Sequence, residues 1–330
     1  MNQSFPLSVV IPAYNAESTL GRALNSVLSQ TCPANEIIVV DDGSTDGTAK
    51  VAESFGESVN FFRKENGGSS SARNFGISKC QYEWVAFLDS DDAWLPCHNE
   101  HFRDLLLNHP ELHWAFGRYE IEKNGQRVRL SSLGCLATEK QHAAIFDPLN
   151  LLATKCSIWT GAVVVRRSFL KEVGGFDERQ KTSHDTDLWF RLALAHRQIG
   201  FASQPVAKYN VGNTDSLTGL AAYGNDESWI LSIQRFLKMA ETLEPKDRQL
   251  VNQFVRFKSN QKLRNTIRYG NTAHARWLLR EYRQLHISGI ARRYQLLALL
   301  PTNVIRSTQW LFLTARSFLE KLKQLNQQKT

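Results

Sequence analysis

Three carboxylates fall within four positions at Asp89-Ser90-Asp91-Asp92. In an extended chain residues i and i+2 point the same way, so Asp89 and Asp91 can aim at one spot. Two carboxylates so aimed repel unless a cation or a proton lies between them. The stretch therefore reads either as a divalent-metal site or as a solvated acidic turn. Three further stretches carry unusual polar chemistry. Asp41-Asp42-Gly43-Ser44-Thr45-Asp46-Gly47 has the residues of a ligand-facing turn. In Asn66-Gly67-Gly68-Ser69-Ser70-Ser71-Ala72-Arg73-Asn74 the glycines allow tight turns and the serines can cap a helix. Such a helix start favours anions, with Arg73 one turn in, although the stretch alone favours a plain capped helix with a surface arginine. His184-Asp185-Thr186-Asp187 precedes an apolar helical stretch, so Asp185 is either an N-cap or a carboxylate displayed in a cleft.

The elements around these stretches alternate. Leu7–Ile11, Glu36–Val40, Val59–Phe62 and Trp84–Leu88 are short apolar or β-branched runs that suit buried strands. Between them Leu20, Ala23, Leu24, Val27 and Leu28 recur at helical spacing, and residues 45–55 and 72–80 also read as helices. Strand alternating with helix predicts a mainly parallel sheet covered by helices. The polar stretches at residues 41–47, 66–74 and 89–92 then follow strand ends, the edge at which open α/β sheets bind ligands. Beyond them we expect a helix over 99–109, a strand over 112–121, a hairpin turn at 123–126, a strand over 158–165, a helix from 166, a turn at 174–178 and a strand from 199. Residues 131–156 show no clear period, and we expect a flexible loop there near the site.

The chain has 330 residues, 42% of them hydrophobic and 22% charged, an ordinary globular composition with enough length for a large core. Its net charge of +8 is unevenly placed. Residues 1–225 hold 21 Lys and Arg against 25 Asp and Glu, whereas residues 226–330 hold 19 against 7. The sequence style changes at the same point, which predicts an α/β domain over 1–225 and a basic, all-helical region over 226–330. Five cysteines without a CxxC pair suggest reduced thiols, and no basic-then-apolar leader opens the chain, so a cytoplasmic location is expected. No apolar run is long enough to span a bilayer. Residues 302–330 alternate apolar and basic side chains and could lie on an anionic membrane or pack on their own domain. No nucleic-acid-binding motif accompanies the basic charge, so no nucleic acid is expected as partner.

Taken together, Val9-Val-Ile-Pro-Ala-Tyr-Asn15, Val40-Asp-Asp-Gly-Ser-Thr-Asp46, the Asn66–Asn74 segment and Phe87-Leu-Asp-Ser-Asp-Asp92 resemble family 2 of the inverting nucleotide-sugar glycosyltransferases over roughly residues 7–215. The resemblance implies a GT-A fold, a Rossmann-like sheet flanked by helices, here with a C-terminal helical extension. It implies that Pro12, Ala13 and Tyr14 line the nucleotide and that Asp41 hydrogen-bonds the base, usually uracil. Arg73 would sit beside the nucleotide. Asp91 would ligate Mn²⁺ or Mg²⁺, and Asp89 would hold the ribose or share the metal. Asp185 would be the catalytic base. The family's usual Glu-Asp pair is His184-Asp185 here, which leaves the base in place and changes its neighbour. Gly174-Gly175-Phe176-Asp177 matches the family's acceptor-side turn.

The implied reaction moves a sugar from a nucleotide-diphosphate sugar, with a UDP-sugar favoured, to a hydroxyl of a glycan or lipid-linked acceptor. The leaving diphosphate needs its charge neutralised, which a divalent cation can do, and the acceptor hydroxyl needs a base within hydrogen-bond reach. A sugar nucleotidyltransferase would handle the same nucleotides, but Pro12-Ala-Tyr-Asn stands where its glycine-rich phosphate loop would be. A non-catalytic binding protein of the same fold would have no need of Asp91 and Asp185, and both are present.

Overall fold

The structure is a computed structural model that describes residues 5–123, 125–131, 143–154, 156–211 and 227–299. The amphipathic stretch 302–330, and residues 132–142 and 155 of the loop expected over 131–156, Cys135 among them, lie outside the described residues. The chain forms two units, Met1–Asn213 and Thr214–Thr330. Sequence style placed the division at 225, and the difference falls within residues 212–226, which are not described.

In the first unit β1 (Leu7–Ala13) leads to α1 (Leu20–Leu28), β2 (Glu36–Asp41) to α2 (Thr48–Glu53), and β3 (Asn60–Arg63) to α3 (Ser69–Lys79). Next come β4 (Trp84–Phe87), β5 (Ala93–Trp94), α4 (His98–Asn108), β6 (Trp114–Lys123), β7 (Gln126–Leu130) and β8 (Ala143–Phe146). α5 (Pro148–Ala153), β9 (Val163–Arg166), α6 (Arg167–Glu172), α7 (His184–Ala195) and β10 (Ile199–Asn210) complete it. One sheet runs in the order β3-β2-β1-β4-β9-β6-β10-β5, with β7 on β6 and β8 on β10. β3, β2, β1 and β4 are mutually parallel, as strand–helix alternation predicts. Beyond β4 the sheet is mixed: β9 is antiparallel to both neighbours, while β10 runs parallel to β6.

Burial follows from composition. Every residue of β1, β2 and β4 is buried, because helices cover both faces of a parallel sheet. Each buried Val or Ile there contributes on the order of 1.5–3 kcal/mol. α1 presents Leu20, Ala23, Leu24 and Val27 to that core. Two expectations need correction. The strand expected over 158–165 begins only at Val163, after a single 3₁₀ turn at Thr160–Ala162. Part of 131–156 is ordered as β8 and α5, the latter capped by Asp147, whose carboxylate accepts from the backbone of Leu149 and Asn150. β5 is too short to show a period, and it forms because β10 offers it an antiparallel edge.

The second unit is helical: α8 (Ser228–Ala240), α9 (Pro245–Arg268), α10 (Thr272–Gln284) and α11 (Arg292–Leu297). Trp229, Phe236 and Phe254 pack ring against ring at 6.0–6.3 Å in its core. The Trp229 indole donates to Ser259 Oγ at 3.2 Å. Among the described residues no helix is long and apolar enough to cross a membrane.

Candidate active site

The loops after β1 and β2 are laced together. Asn15 adopts a left-handed φ of 48°. Its N–H donates to Ser44 Oγ and its side-chain oxygen accepts from Thr45 N–H, both at 2.9 Å. Asp41, at the end of β2, is fully buried. Its Oδ1 accepts from Ser44 N–H at 2.9 Å, and Arg63 Nε lies 3.5 Å from Oδ2. Pro12 and Ala13 are buried in β1, and Tyr14 follows them, 53% exposed. Tyr14 is thus free to face a ligand, whereas Pro12 and Ala13 can act mainly through backbone.

Asp42 organises the next loop. Its carboxylate accepts from Gly67 and Gly68 N–H at 3.0 and 2.7 Å and from Lys64 Nζ at 2.8 Å. Gly68 has φ +86°, a conformation that costs glycine little and other residues much more. Asp42 and Gly68 together set where α3 begins, and therefore where Arg73 stands. Asp42 carried no separate role in the sequence reading; its place beside Asp41 was the only available signal.

Arg73 is 4% exposed, and a buried guanidinium must be partnered. Its Nη2 donates to Asp89 Oδ1, and Nη1 lies 2.8 Å from His184 Nε2. The guanidinium also sits over the Phe176 ring, 5.4 Å from its centre. Asn74, the next residue on α3, exchanges hydrogen bonds at 2.9 Å with the backbone N–H and C=O of Phe176. The Gly174-Gly175 turn makes that possible. Gly175 has φ +62°, and a Cβ on it would meet Asn74 Oδ1 at 2.7 Å. Arg191 of α7 closes the turn from the other side, pairing with Asp187 at 2.8 Å and donating to the carbonyls of Val173 and Gly175. Four segments distant in sequence thus meet: the end of β4, the start of α3, the 174–178 turn and the start of α7.

Asp89, Asp91 and Asp92 form the acidic floor. Burial, and then the neighbouring charge of Asp89, raise the Asp91 carboxyl above its usual range. Asp92 is buried and its pKa is raised well above the usual value, first by burial and then by Asp91 and Asp89. Asp92 Oδ1 accepts from Asn210 N–H at 2.7 Å, so this residue anchors the loop to β10. The Asp91 carbonyl accepts from Arg22 and from Asn210 Nδ2. A divalent cation would relieve the strain between Asp89 and Asp91, so the donor set fits one. Among the described residues no three His, Cys, Asp or Glu side chains are grouped to hold a metal.

Asp185 lies in the first turn of α7, and its Oδ1 accepts from Thr186 N–H at 2.6 Å. It is partly exposed, and its charge reaches the Tyr119 hydroxyl. Burial pushes that phenol up to about 12, and it is hydrogen-bonded to Ser157 Oγ at 2.8 Å. Tyr119 packs against Trp159, which in turn packs against Tyr209, with ring centres 4.9 and 5.0 Å apart. This aromatic cluster was not picked out from the sequence, because Tyr119, Trp159 and Tyr209 lie far apart in the chain.

The sequence pattern of glycosyl transferase family 2 matches residues 8–174, just over half of the chain, and takes in the β1, β2, α3 and β4 loops. The chain belongs to glycosyl transferase family 2. An uncharacterized glycosyltransferase of Rickettsia conorii is 37% identical to this family member over 192 residues, covering 56% of this chain and 31% of the relative. The chain thus spans about a third of that relative's length. The uncharacterized glycosyltransferase YibD of Escherichia coli is 28% identical over 273 residues, 77% of this chain and 75% of YibD. Among solved structures, residues 1–349 of S. aureus TarS superpose with a TM-score of 0.61 at 19% identity, over 85% of this chain and 90% of that one. The same TarS fragment in complex with UDP-GlcNAc gives 0.60. The fold of this family 2 member is therefore of the expected GT-A type.

Proposed function

We propose that this family 2 protein is an inverting glycosyltransferase that moves a sugar from a nucleotide-diphosphate sugar, with a UDP-sugar favoured, to a hydroxyl of a glycan or lipid-linked acceptor. One observation carries the reading. Asp89, Arg73 and His184 are joined by consecutive hydrogen bonds, and the chain neighbour of His184 is Asp185. The acidic β4 end and the proposed base are thereby held in one rigid arrangement. The UDP and UDP-GlcNAc complexes of TarS support a uridine donor by analogy of fold.

In this reading Pro12, Ala13 and Tyr14 line the nucleotide, and Asp41 receives the base. Asp91 and Asp89 would hold Mn²⁺ or Mg²⁺, which when bound offsets the charge of the leaving diphosphate. Arg73 keeps Asp89 aimed at that position and adds positive field beneath it. Asp185 accepts the proton of the acceptor hydroxyl as its oxygen attacks the anomeric carbon from the side opposite the diphosphate. A single displacement inverts the anomeric centre, and no second nucleophile is required. Tyr119, Ser157 and Trp159 would form the wall against which the acceptor rests.

The test is a screen of nucleotide sugars for donor hydrolysis by the purified full-length chain with Mn²⁺. Turnover of one or more UDP-sugars, lost with chelator, is the expected result. No turnover of any nucleotide sugar alongside unimpaired folding would count against the proposal.

A further inference from the structure

The helical unit has a feature that sugar transfer does not use. A cleft of about 660 Å³ is lined by α10 and α11. Arg276, Arg280 and Arg283 of α10 are spaced to share one helix face, and Arg292 of α11 also lines the cleft. All four are exposed, and no Asp or Glu lines the cleft. Arg276 donates to the Ala298 carbonyl at 3.0 Å and helps seat α11. Among the described residues no carboxylate pairs with Arg280, Arg283 or Arg292. Beside these charges stand the apolar lining residues Leu296 and Leu299, 59% and 69% exposed. Of the nine large apolar side chains exposed among the described residues, three fall within Leu296–Leu299. A basic cluster beside concentrated exposed leucine suits a surface where anionic heads and an apolar phase meet.

We propose that this cleft is a docking surface for an anionic phospholipid bilayer. Leu296 and Leu299 enter the acyl boundary, while the arginines lay their stems along it and hold lipid phosphates with paired N–H donors. The surrounding charge agrees, since residues 226–330 carry 19 basic against 7 acidic side chains and are drawn to an anionic leaflet. A nucleic-acid strand suits the cleft less well. Its lining offers no aromatic platform for bases, and exposed leucine gives nothing to a phosphodiester backbone.

Flotation of the full-length chain with vesicles tests this without reference to sugar transfer. Binding is expected to phosphatidylcholine vesicles containing one quarter phosphatidylglycerol and not to phosphatidylcholine alone. The triple variant Arg280→Gln/Arg283→Gln/Arg292→Gln should bind roughly a hundredfold more weakly. Lys246→Gln/Arg264→Gln/Arg268→Gln removes the same charge from outside the cleft and should stay within a few-fold of wild type. Leu296→Ser/Leu299→Ser should also lose binding, with thermal melts confirming that each variant folds. Absent wild-type binding, equal loss in both triple variants, or full binding by the cleft triple would overturn the proposal. Full binding by the leucine variant would do so too, leaving charge alone to account for vesicle binding.

Discussion

Arg73 Nη1 lies 2.8 Å from His184 Nε2, and both side chains are buried. A guanidinium only donates, so Nε2 must be the acceptor and the imidazole is neutral, with its proton on Nδ1. Where the family usually places a carboxylate, this chain holds its arginine with a neutral group. Among the described residues Arg73 forms its ion pair with Asp89, and its charge also acts on Asp91.

That contact makes His184 a positioning residue for Arg73. His184→Gln keeps an acceptor and should retain kcat/KM within about threefold. His184→Lys sets a like charge against the guanidinium and should lower kcat/KM at least tenfold, a loss of about 1.4 kcal/mol of transition-state stabilisation. Steady-state kinetics on both variants decide it; a lysine variant as active as wild type would remove the contact from the account.

Asp91 is strained by burial and by Asp89, and that strain is what a cation would relieve. Calorimetry should show UDP binding at least tenfold more tightly with Mn²⁺ than with chelator in the wild type. In Asp91→Asn the two affinities should converge. Metal-independent binding by the wild type would contradict the assignment.

Asp42 supports the start of α3 through two backbone N–H groups and Lys64. Asp42→Ala removes a buried acceptor that three donors share, two of them backbone N–H groups of exposed glycines. The expected loss is about 3 kcal/mol of unfolding free energy, measured by urea denaturation. A loss under about 0.5 kcal/mol would show that the 64–68 loop is held by other contacts.

His98 supplies a pH signature of the fold. It is fully buried, stacked on Trp94 at 3.6 Å, and burial lowers its pKa to about 3. The unfolded chain takes up a proton near pH 6.5 while the folded chain does not, so His98 costs stability as pH falls from about 6.5 towards 3. The slope is about 1.4 kcal/mol per pH unit at most. His98→Phe should therefore lose less stability than wild type between pH 6.5 and 5 in parallel melts. Identical pH slopes would mean that His98 is solvated or charged in the fold.

The parallel half of the sheet was legible because buried strands and amphipathic helices leave distinct periods in the chain. The mixed half was less so. β5 is two residues long and exists through its pairing with β10, and β9 starts late because Thr160–Ala162 turn first. At the site, Asp89, Asp91 and Asp185 stood out as carboxylates at element ends. Asn74, Asp42 and the Arg73–His184 contact did not, because their importance lies in partners up to 111 residues away in the chain.

The central claim is that Asp185 accepts the acceptor's proton within a site assembled around Arg73. The most direct measurement compares transfer and donor binding in Asp185→Asn, which preserves shape and removes the base. Transfer to the best acceptor should fall at least a thousandfold, while UDP affinity with Mn²⁺ stays within about twofold of wild type. Transfer within tenfold of wild type, with donor binding intact, would contradict the account.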